Sequence, residues 1–566
     1  MSGRQRVAVV TGGGGGIGAA IAEELGRGGW FVVTVDPLVT LDGSERLPEP
    51  QESTAGRIVA AGGAARASSV SVTDGEAVDG LFREVAHDHG GLDAVVNVAG
   101  ITRQTYFAQG TEEDWQAVLS VHLQGYLNVL GAALALMSGA GQGTVLGVTS
   151  GSGWRAADAG AYSCAKRAVA ALTWQLGRQT PAGVTVNAMS PIAATRMVAA
   201  AVERARQAGR TSGGGGLSLR SMPGPEDLGP LGAYLMGEDF RWCSGQVLFA
   251  GGSEVAVVGE PRLLEVVRTD GVTSLPRVLE AFVPRALAKA EANQASDGGG
   301  NPRFGPIFDD SAPTPAAPGQ LATPAAAVED VSPVRLCVIA TDRAELAASL
   351  TAALEARSIT CHRVELARGF AEATQALRSE VGRSGPIDAV VVAPAGHRPR
   401  ADSTGGWERI LAEHSAIAED IHVDAAWARA AADYSAEAGM PVRLVTLTDA
   451  VDSAGRSRAQ AAAQQARVAA GATERRIVAF AVGIEAPGAV ADQPAVELVA
   501  HLLGRADAGA LAGAELVVGH GWLGLRSHPR PTGSVTFGGP GVPGWLDATL
   551  REIVGGPGAP LHGEER

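Results

Sequence analysis

Residues 6–26 read RVAVVTGGGGGIGAAIAEELG. A run of β-formers ends at Thr11, five glycines follow, and a helix-forming segment begins at Ala19. The chain holds 76 glycines in 566 residues, so compositional bias competes with function as the origin of the run, and its surroundings must decide. Gly12, Gly16 and Gly18 fit T-G-x-x-x-G-x-G at a strand-to-helix junction. The first permits a tight turn, the second lets the backbone approach a pyrophosphate, and the third lets helix and strand pack closely. The helix N-terminus supplies free N–H groups for the phosphates. Gly13 to Gly15 fall at variable positions and read as bias. Asp36 ends the next strand-like run, WFVVTVD, 18 residues after Gly18. A carboxylate there accepts hydrogen bonds from ribose hydroxyls and repels a 2′-phosphate. No arginine follows it, which favours NAD over NADP.

Outward from this point, strand-like and helix-like segments alternate as far as Val257. RVAVV, WFVVTVD, LDAVVNVAG, TVLGVTS, VTVNAMSP and QVLFAGG are apolar and lack period-two alternation, as buried parallel strands do. Helical stretches lie between them, among them 19–26 and 111–137. Arg262 to about Ala292 also reads as helical. Residues 296–333 are rich in Pro, Ala, Gly and Asp and read as a linker. From Val334 the alternation resumes with VRLCVIA, IDAVVVAPAG, VRLVTLTD, RIVAFAVGI and AELVVG. The expected fold is therefore α/β, with two doubly wound, Rossmann-like parallel sheets in tandem. The expected units are residues 1–295, the linker 296–333, and residues 334–566.

A net charge of −14 and a pI near 5.3 argue against a nucleic-acid or anionic-membrane surface. Cys164, Cys243, Cys337 and Cys361 are scattered without a C-x-x-C pair, so neither a metal site nor a disulfide framework is expected, and a reducing cytoplasm is. The apolar runs read as too short to cross a bilayer, and no signal peptide is expected.

Four further pieces follow the glycine turn in order: Asn97 to Gly100 (NVAG), Ser150 in VTSGSG, Tyr162 and Lys166 in YSCAK, and Pro191 to Thr195 after VTVNAMS. Together with the turn they resemble the short-chain dehydrogenase/reductase family across about residues 4–258. The resemblance implies a nicotinamide cofactor held by Gly12, Gly16, Ile17, Gly18, Asp36, Asn97, Ala99, Gly100, Tyr162, Lys166, Pro191, Ile192 and Thr195. It implies catalysis by Ser150, Tyr162 and Lys166. The chemistry has its own rationale. Positions four apart share a helix face. A phenol with a pKa of about 10 is a poor base, and a neighbouring ammonium is expected to favour its phenolate. Tyr162 then exchanges a proton with a substrate oxygen, while Ser150 holds that oxygen. Cys164 reads as a helix-packing residue. Singly, a Tyr in an Ala-rich helix packs and a Ser after a strand turns the chain; the joint pattern carries the catalytic reading.

Three positions depart from the family pattern. His122 stands where most relatives have an Asn that supports a proton relay. It reads either as a relay member, titrating near pH 6.5, or as a core histidine. Ser71 replaces an adenine-contacting Asp. Ser150 lies 12 residues before Tyr162, one fewer than usual; Thr149 restores the interval, but the S-x-x-G run favours Ser150. The VHLQG run and the long segment after Asp36 resemble the (3R)-hydroxyacyl-CoA dehydrogenase group of multifunctional enzyme type 2, also called 17β-hydroxysteroid dehydrogenase type 4. That resemblance implies an acyl-CoA ester or steroid-like substrate. An NADPH-dependent ketoreductase and a non-catalytic nucleotide-binding scaffold are the competing readings; Asp36 opposes the first and the Ser150–Tyr162–Lys166 set the second. Residues 198–222 read as a lid over the substrate.

The second half lacks the catalytic parts. VRLCVIATDRAELAASL has no glycine for a phosphate turn, Asp449 falls near the place of the serine, and SRAQAAAQQARVAAGA holds neither Tyr nor Lys. It reads as a degenerate copy that pairs with the first half or supports a homo-oligomer. His520, Trp522, His528 and Arg530 read as a polar loop or a ligand site.

Overall fold

A computed structural model describes residues 4–156, 158–207, 222–294, 333–396, 406–486, 489–539 and 541–555. The expected linker and residues 208–221 of the expected lid lie outside them.

The first sheet has nine strands: β1 (Val7–Thr11), β2 (Phe31–Val35), β3 (Ala64–Ser68), β4 (Ala94–Asn97), β5 (Gly143–Val148), β6 (Val184–Pro191), β7 (Val247–Gly251), β8 (Glu254–Gly259) and β17 (Arg530–Thr536). Their order is β17-β8-β7-β6-β5-β4-β1-β2-β3, parallel from β7 to β3. The direction of winding reverses between β1 and β4, which opens a crevice at their C-terminal ends, the usual place for a ligand in such sheets.

The second sheet comprises β9 (Leu263–Arg268), β10 (Leu336–Ala340), β11 (Thr360–Val364), β12 (Ala389–Val392), β13 (Val442–Asp449), β14 (Ile477–Ile484), β15 (Glu515–Gly519) and β16 (Trp522–Arg526). Its order, β11-β10-β12-β13-β14-β15-β16-β9, follows that of the first sheet with no counterpart of β3. Tandem, doubly wound α/β architecture is thus the fold of this chain.

The halves exchange their edges. β9 directly follows β8 in sequence, yet it pairs antiparallel with β16 of the second sheet. β17 follows β16, yet it pairs antiparallel with β8 of the first. A division at residue 295 therefore does not coincide with the division between sheets. The helical reading of residues 262–292 is corrected here as well: LLEVVR is a strand, and helix begins only at Leu275. The β16 edge supplies hydrogen-bonding partners that local sequence does not reveal.

The halves also share a core. The helix Ala161–Leu176 packs on the helix Ser453–Ala472, and every residue of the former except Tyr162 and Gln175 is buried. One face covers its own sheet and the other is covered by the second half. Alanines on both helices (Ala161, Ala165, Ala168, Ala461, Ala462, Ala466) allow the close approach. Arg167 and Glu515 form a buried ion pair across this boundary at 2.7 Å. The run Glu112–Ala140 meets the length and apolarity of a membrane span, contrary to the sequence reading; it is mostly buried inside the protein. Cys337 and Cys361, far apart in sequence, are neighbours in the parallel register of β10 and β11.

Candidate active site

The glycine turn is sterically required at more positions than sequence reasoning assigned. Gly12 (φ +67°) and Gly16 (φ +55°) occupy the left-handed region. A Cβ on Gly12 would lie 2.8 Å from the Ala99 nitrogen, and one on Gly18 would lie 2.3 Å from the Gly12 carbonyl oxygen. Gly13 and Gly14 are not bias: a Cβ would meet the Val10 oxygen at 2.7 Å in the first case and Asp36 Oδ2 at 2.6 Å in the second. Asp36 accepts hydrogen bonds from the Gly14 N–H (3.1 Å) and the Leu38 N–H (2.9 Å), which turns its carboxylate toward the glycine turn. Asn97 ends β4, and its Oδ1 accepts from Thr11 Oγ1 at 2.6 Å; Thr11 Oγ1 in turn accepts from the Ala99 N–H at 3.3 Å. Ala99 is thereby fixed over Gly12, and Gly100 lies against the His122 ring, where a Cβ would come 2.4 Å from His122 Cε1.

Pro191 ends β6, and the Ile192 N–H donates to the Ala250 oxygen. This segment brings Thr195 to the turn, where its Cγ2 would lie 3.9 Å from a Cβ on Gly16. The exposed Arg196 follows, and its Nη2 would lie 3.2 Å from a Cβ on Gly15. Sequence reasoning passed over this guanidinium; its place directly after Thr195 was the available signal. Glycines that leave no room for side chains, free N–H groups at the Gly16–Arg27 helix, a carboxylate and an overhanging guanidinium suit a dinucleotide. Ile17 packs on the core beneath the turn.

Ser150, Tyr162, Lys166 and His122 come together beside this crevice. Ser150 follows β5 and caps the turn Gly151–Gly153. Its side chain lies close enough to Tyr162 to oppose the effect of burial on the phenol. Thr149, the alternative by spacing, is buried and donates to the Lys166 carbonyl at 2.6 Å, so it fastens β5 to the helix. Gly160 (φ +51°) lets the chain enter that helix against the Thr105 carbonyl, and Asp158 accepts from the Phe107 and Gly160 N–H groups. Lys166 Nζ donates to the Val148 oxygen at 2.6 Å.

Electrostatics differ from the sequence expectation. Burial raises the Tyr162 phenol above its ordinary value, a Ser150 hydrogen bond opposing it, and burial lowers Lys166 to about 7. The ammonium has thus not activated the phenol in the chain by itself. His122 is 3% exposed. Burial, then Lys166, lowers it to about 3, which removes the titration near pH 6.5 that the sequence suggested. Its Nε2 hydrogen-bonds the Ile101 carbonyl at 2.7 Å, its Nδ1 has no hydrogen-bond partner, and its ring meets that of Tyr162 edge-on with centroids 4.9 Å apart. It lies in a π-helical turn, Ser120–Gln124, that interrupts the expected long helix, and such turns are frequent at functional sites. Cys164 packs against the Ala461 oxygen with its thiol pushed up by burial.

The second half has no such constellation among the described residues. The parallel registers place Thr341 where Gly12 stands, Glu365 where Asp36 stands and Asp449 where Ser150 stands. The residues around His520 serve structure: Trp522 opens β16, Arg530 opens β17, and buried His528 pairs with Glu291 at 2.8 Å.

The family described as short chain dehydrogenase matches residues 6–206. Hydroxyacyl-CoA dehydrogenase ChsB1 of Mycobacterium tuberculosis is 31% identical over 302 residues, 51% of this chain and 91% of that protein. Acetoacetyl-CoA reductase of Cupriavidus necator is 31% identical over 245 residues, 43% of this chain and 94% of that protein. A solved short chain dehydrogenase from Mycobacterium avium is 32% identical, spans 50% of this chain and 95% of its own, and superposes with a TM-score of 0.40.

Proposed function

This chain belongs to the short chain dehydrogenase family, and from that premise we propose that its first half is an NAD-dependent dehydrogenase of 3-hydroxyacyl thioesters. The convergence of Ser150, Tyr162 and Lys166 beside the glycine turn carries the proposal. Gly12, Gly16, Gly18, Asn97, Ala99, Gly100 and Asp36 would hold the cofactor, with Ile17, Pro191, Ile192 and Thr195 lining it and Arg196 adding a cation for its phosphates. When bound, the cofactor supplies the hydride acceptor. Ser150 orients the substrate hydroxyl by a hydrogen bond, and Tyr162 Oη takes its proton. Lys166 holds charge near that phenol, its Nζ anchored on β5. The cationic ring of an oxidised nicotinamide cofactor and a substrate donor would favour the phenolate, because burial alone disfavours it.

The thioester assignment draws support from the M. tuberculosis relative, named as a hydroxyacyl-CoA dehydrogenase. The Asp36 carboxylate beside the turn supports NAD over NADP. The reverse reaction, reduction of a 3-ketoacyl thioester with NADPH, is the second reading; the relative named as an acetoacetyl-CoA reductase favours it. The second half, read as a degenerate copy, acts as a built-in counterpart subunit, supported by the shared core and exchanged edge strands. Initial rates on hydroxyacyl-CoA, ketoacyl-CoA and steroid substrates, with each cofactor separately, test the proposal. Turnover of none of these, or of ketoacyl-CoA with NADPH alone, would reject it.

A further inference from the structure

One side chain of the second half that reaches the Ser150 turn is Gln464. Gln464, on the Ser453–Ala472 helix, is 3% exposed. Its Nε2 donates to the carbonyl oxygens of Ser152 (3.0 Å) and Arg155 (2.7 Å). These carbonyls belong to the turn that orients Ser150. The Ser150 Oγ accepts from the Ser152 N–H (3.3 Å) and the Ser152 Oγ (3.1 Å). The Gly153 N–H returns to the Ser150 oxygen, and the Trp154 and Arg155 N–H groups return to the Gly151 oxygen. On its other side the turn is limited by the catalytic helix, since a Cβ on Gly153 would lie 3.0 Å from the Arg167 nitrogen. These internal bonds leave the Ser152 and Arg155 carbonyls without a partner inside a segment that contains two glycines, so its backbone stays free to shift. One buried amide that clamps two of its carbonyls removes much of the remaining freedom.

We propose that Gln464 is a positioning residue for Ser150: the redox-inactive half holds the catalytic serine's turn in its productive shape. The inference rests on the reading of Ser150 as the substrate-oxygen ligand. Gln464 differs in this from the other polar links between the halves. Gln175 Nε2 also crosses the boundary, to the Ser453 oxygen (3.2 Å) and Ser457 Oγ (3.0 Å), at the far end of the same helix pair and away from Ser150. A loss of polar glue between the halves is therefore separable from a loss of serine positioning.

The test compares Gln464→Met, Gln464→Glu and Gln175→Met in the full chain. Methionine keeps the volume of glutamine without its donor, and an ionised glutamate faces two carbonyl oxygens without any. Both Gln464 variants are expected to speed backbone amide exchange across residues 150–156, and to lower kcat by tenfold or more with cofactor affinity unchanged. Gln175→Met is expected to leave exchange in that segment and kcat at wild-type values. Unchanged exchange in the Gln464 variants overturns the proposal, and so does an equal response to Gln175→Met. If the wild-type chain turns over none of the substrates, the functional reading fails, and the exchange comparison still decides whether Gln464 holds the turn.

Discussion

Lys166 Nζ donates to the Val148 carbonyl at 2.6 Å and stands 5.7 Å from the centroid of the Tyr162 ring. The ammonium is tied to the strand that delivers Ser150, rather than to the Tyr162 phenol. Its burial makes its charge negotiable near neutral pH. On the proposed mechanism, proton transfer at Tyr162 depends on what else enters the site. Tyr162→Phe should lower kcat by at least about a hundredfold, the usual range for removing a general acid or base. Cofactor affinity, read by fluorescence titration, should be retained. Full turnover in this variant would exclude Tyr162 as the proton carrier.

His122 makes a prediction about stability rather than rate. Its folded pKa, about 3, lies below the 6.5 of an exposed histidine, so between those values the unfolded chain binds more protons. Stability should rise with pH across that window and fall as the medium is acidified from pH 6.5 toward 3. In urea titrations at several pH values, His122→Asn should flatten this contribution. A kcat profile with an inflection near pH 6.5 that vanishes in His122→Asn would instead make His122 a titrating relay member.

Gly14→Ala places a methyl group 2.6 Å from Asp36 Oδ2 and should push the carboxylate from its seat. Binding of NAD should weaken severalfold or more, while the chain remains folded by circular dichroism. Asp36→Asn should reduce the preference for NAD over NADP by keeping the shape and removing the charge. Equal affinity of the wild-type chain for both cofactors would contradict the role given to Asp36.

The Arg167–Glu515 pair is buried on both sides, and burial lowers Arg167 to about 10 and raises Glu515. Removing one partner leaves an uncompensated buried charge, a cost of about 3–5 kcal/mol. Glu515→Leu should destabilise on that scale in denaturant titrations. The double variant Arg167→Met, Glu515→Leu should recover most of the loss, because neither desolvation cost remains. A loss in the double variant equal to the sum of the Arg167→Met and Glu515→Leu losses would show that the pair is not coupled.

A chain cut after residue 294 should not behave as an independent domain. It would lack β17, leaving the β8 edge unpaired. It would also uncover the Ala161–Leu176 helix face and leave β9 without β16. Aggregation or loss of cooperative melting is expected, reversed by co-expression of residues 295–566. A soluble, fully active fragment would refute the built-in counterpart role.

The sequence by itself determined the tandem α/β architecture, and it marked the glycine turn with its Asp36 and the Ser150, Tyr162 and Lys166 set as the candidate site. Those features are written in local patterns: apolar runs, residue spacing, and glycines where only glycine fits. It missed β3 and β11, whose residues, Val364 apart, are half-exposed or exposed at sheet edges and carry little apolar signal. It read β9 as helix because the partner that makes it a strand, β16, lies more than 250 residues away. It assigned His122 an ordinary titration because burial is a property of the packed core. Only the tertiary structure decided that the halves exchange edge strands, that Arg196 overhangs the turn, and that Gln464 holds the Ser150 loop. Each of these depends on which distant segment supplies a neighbour, and hydrogen bonds and desolvation act through space rather than along the chain.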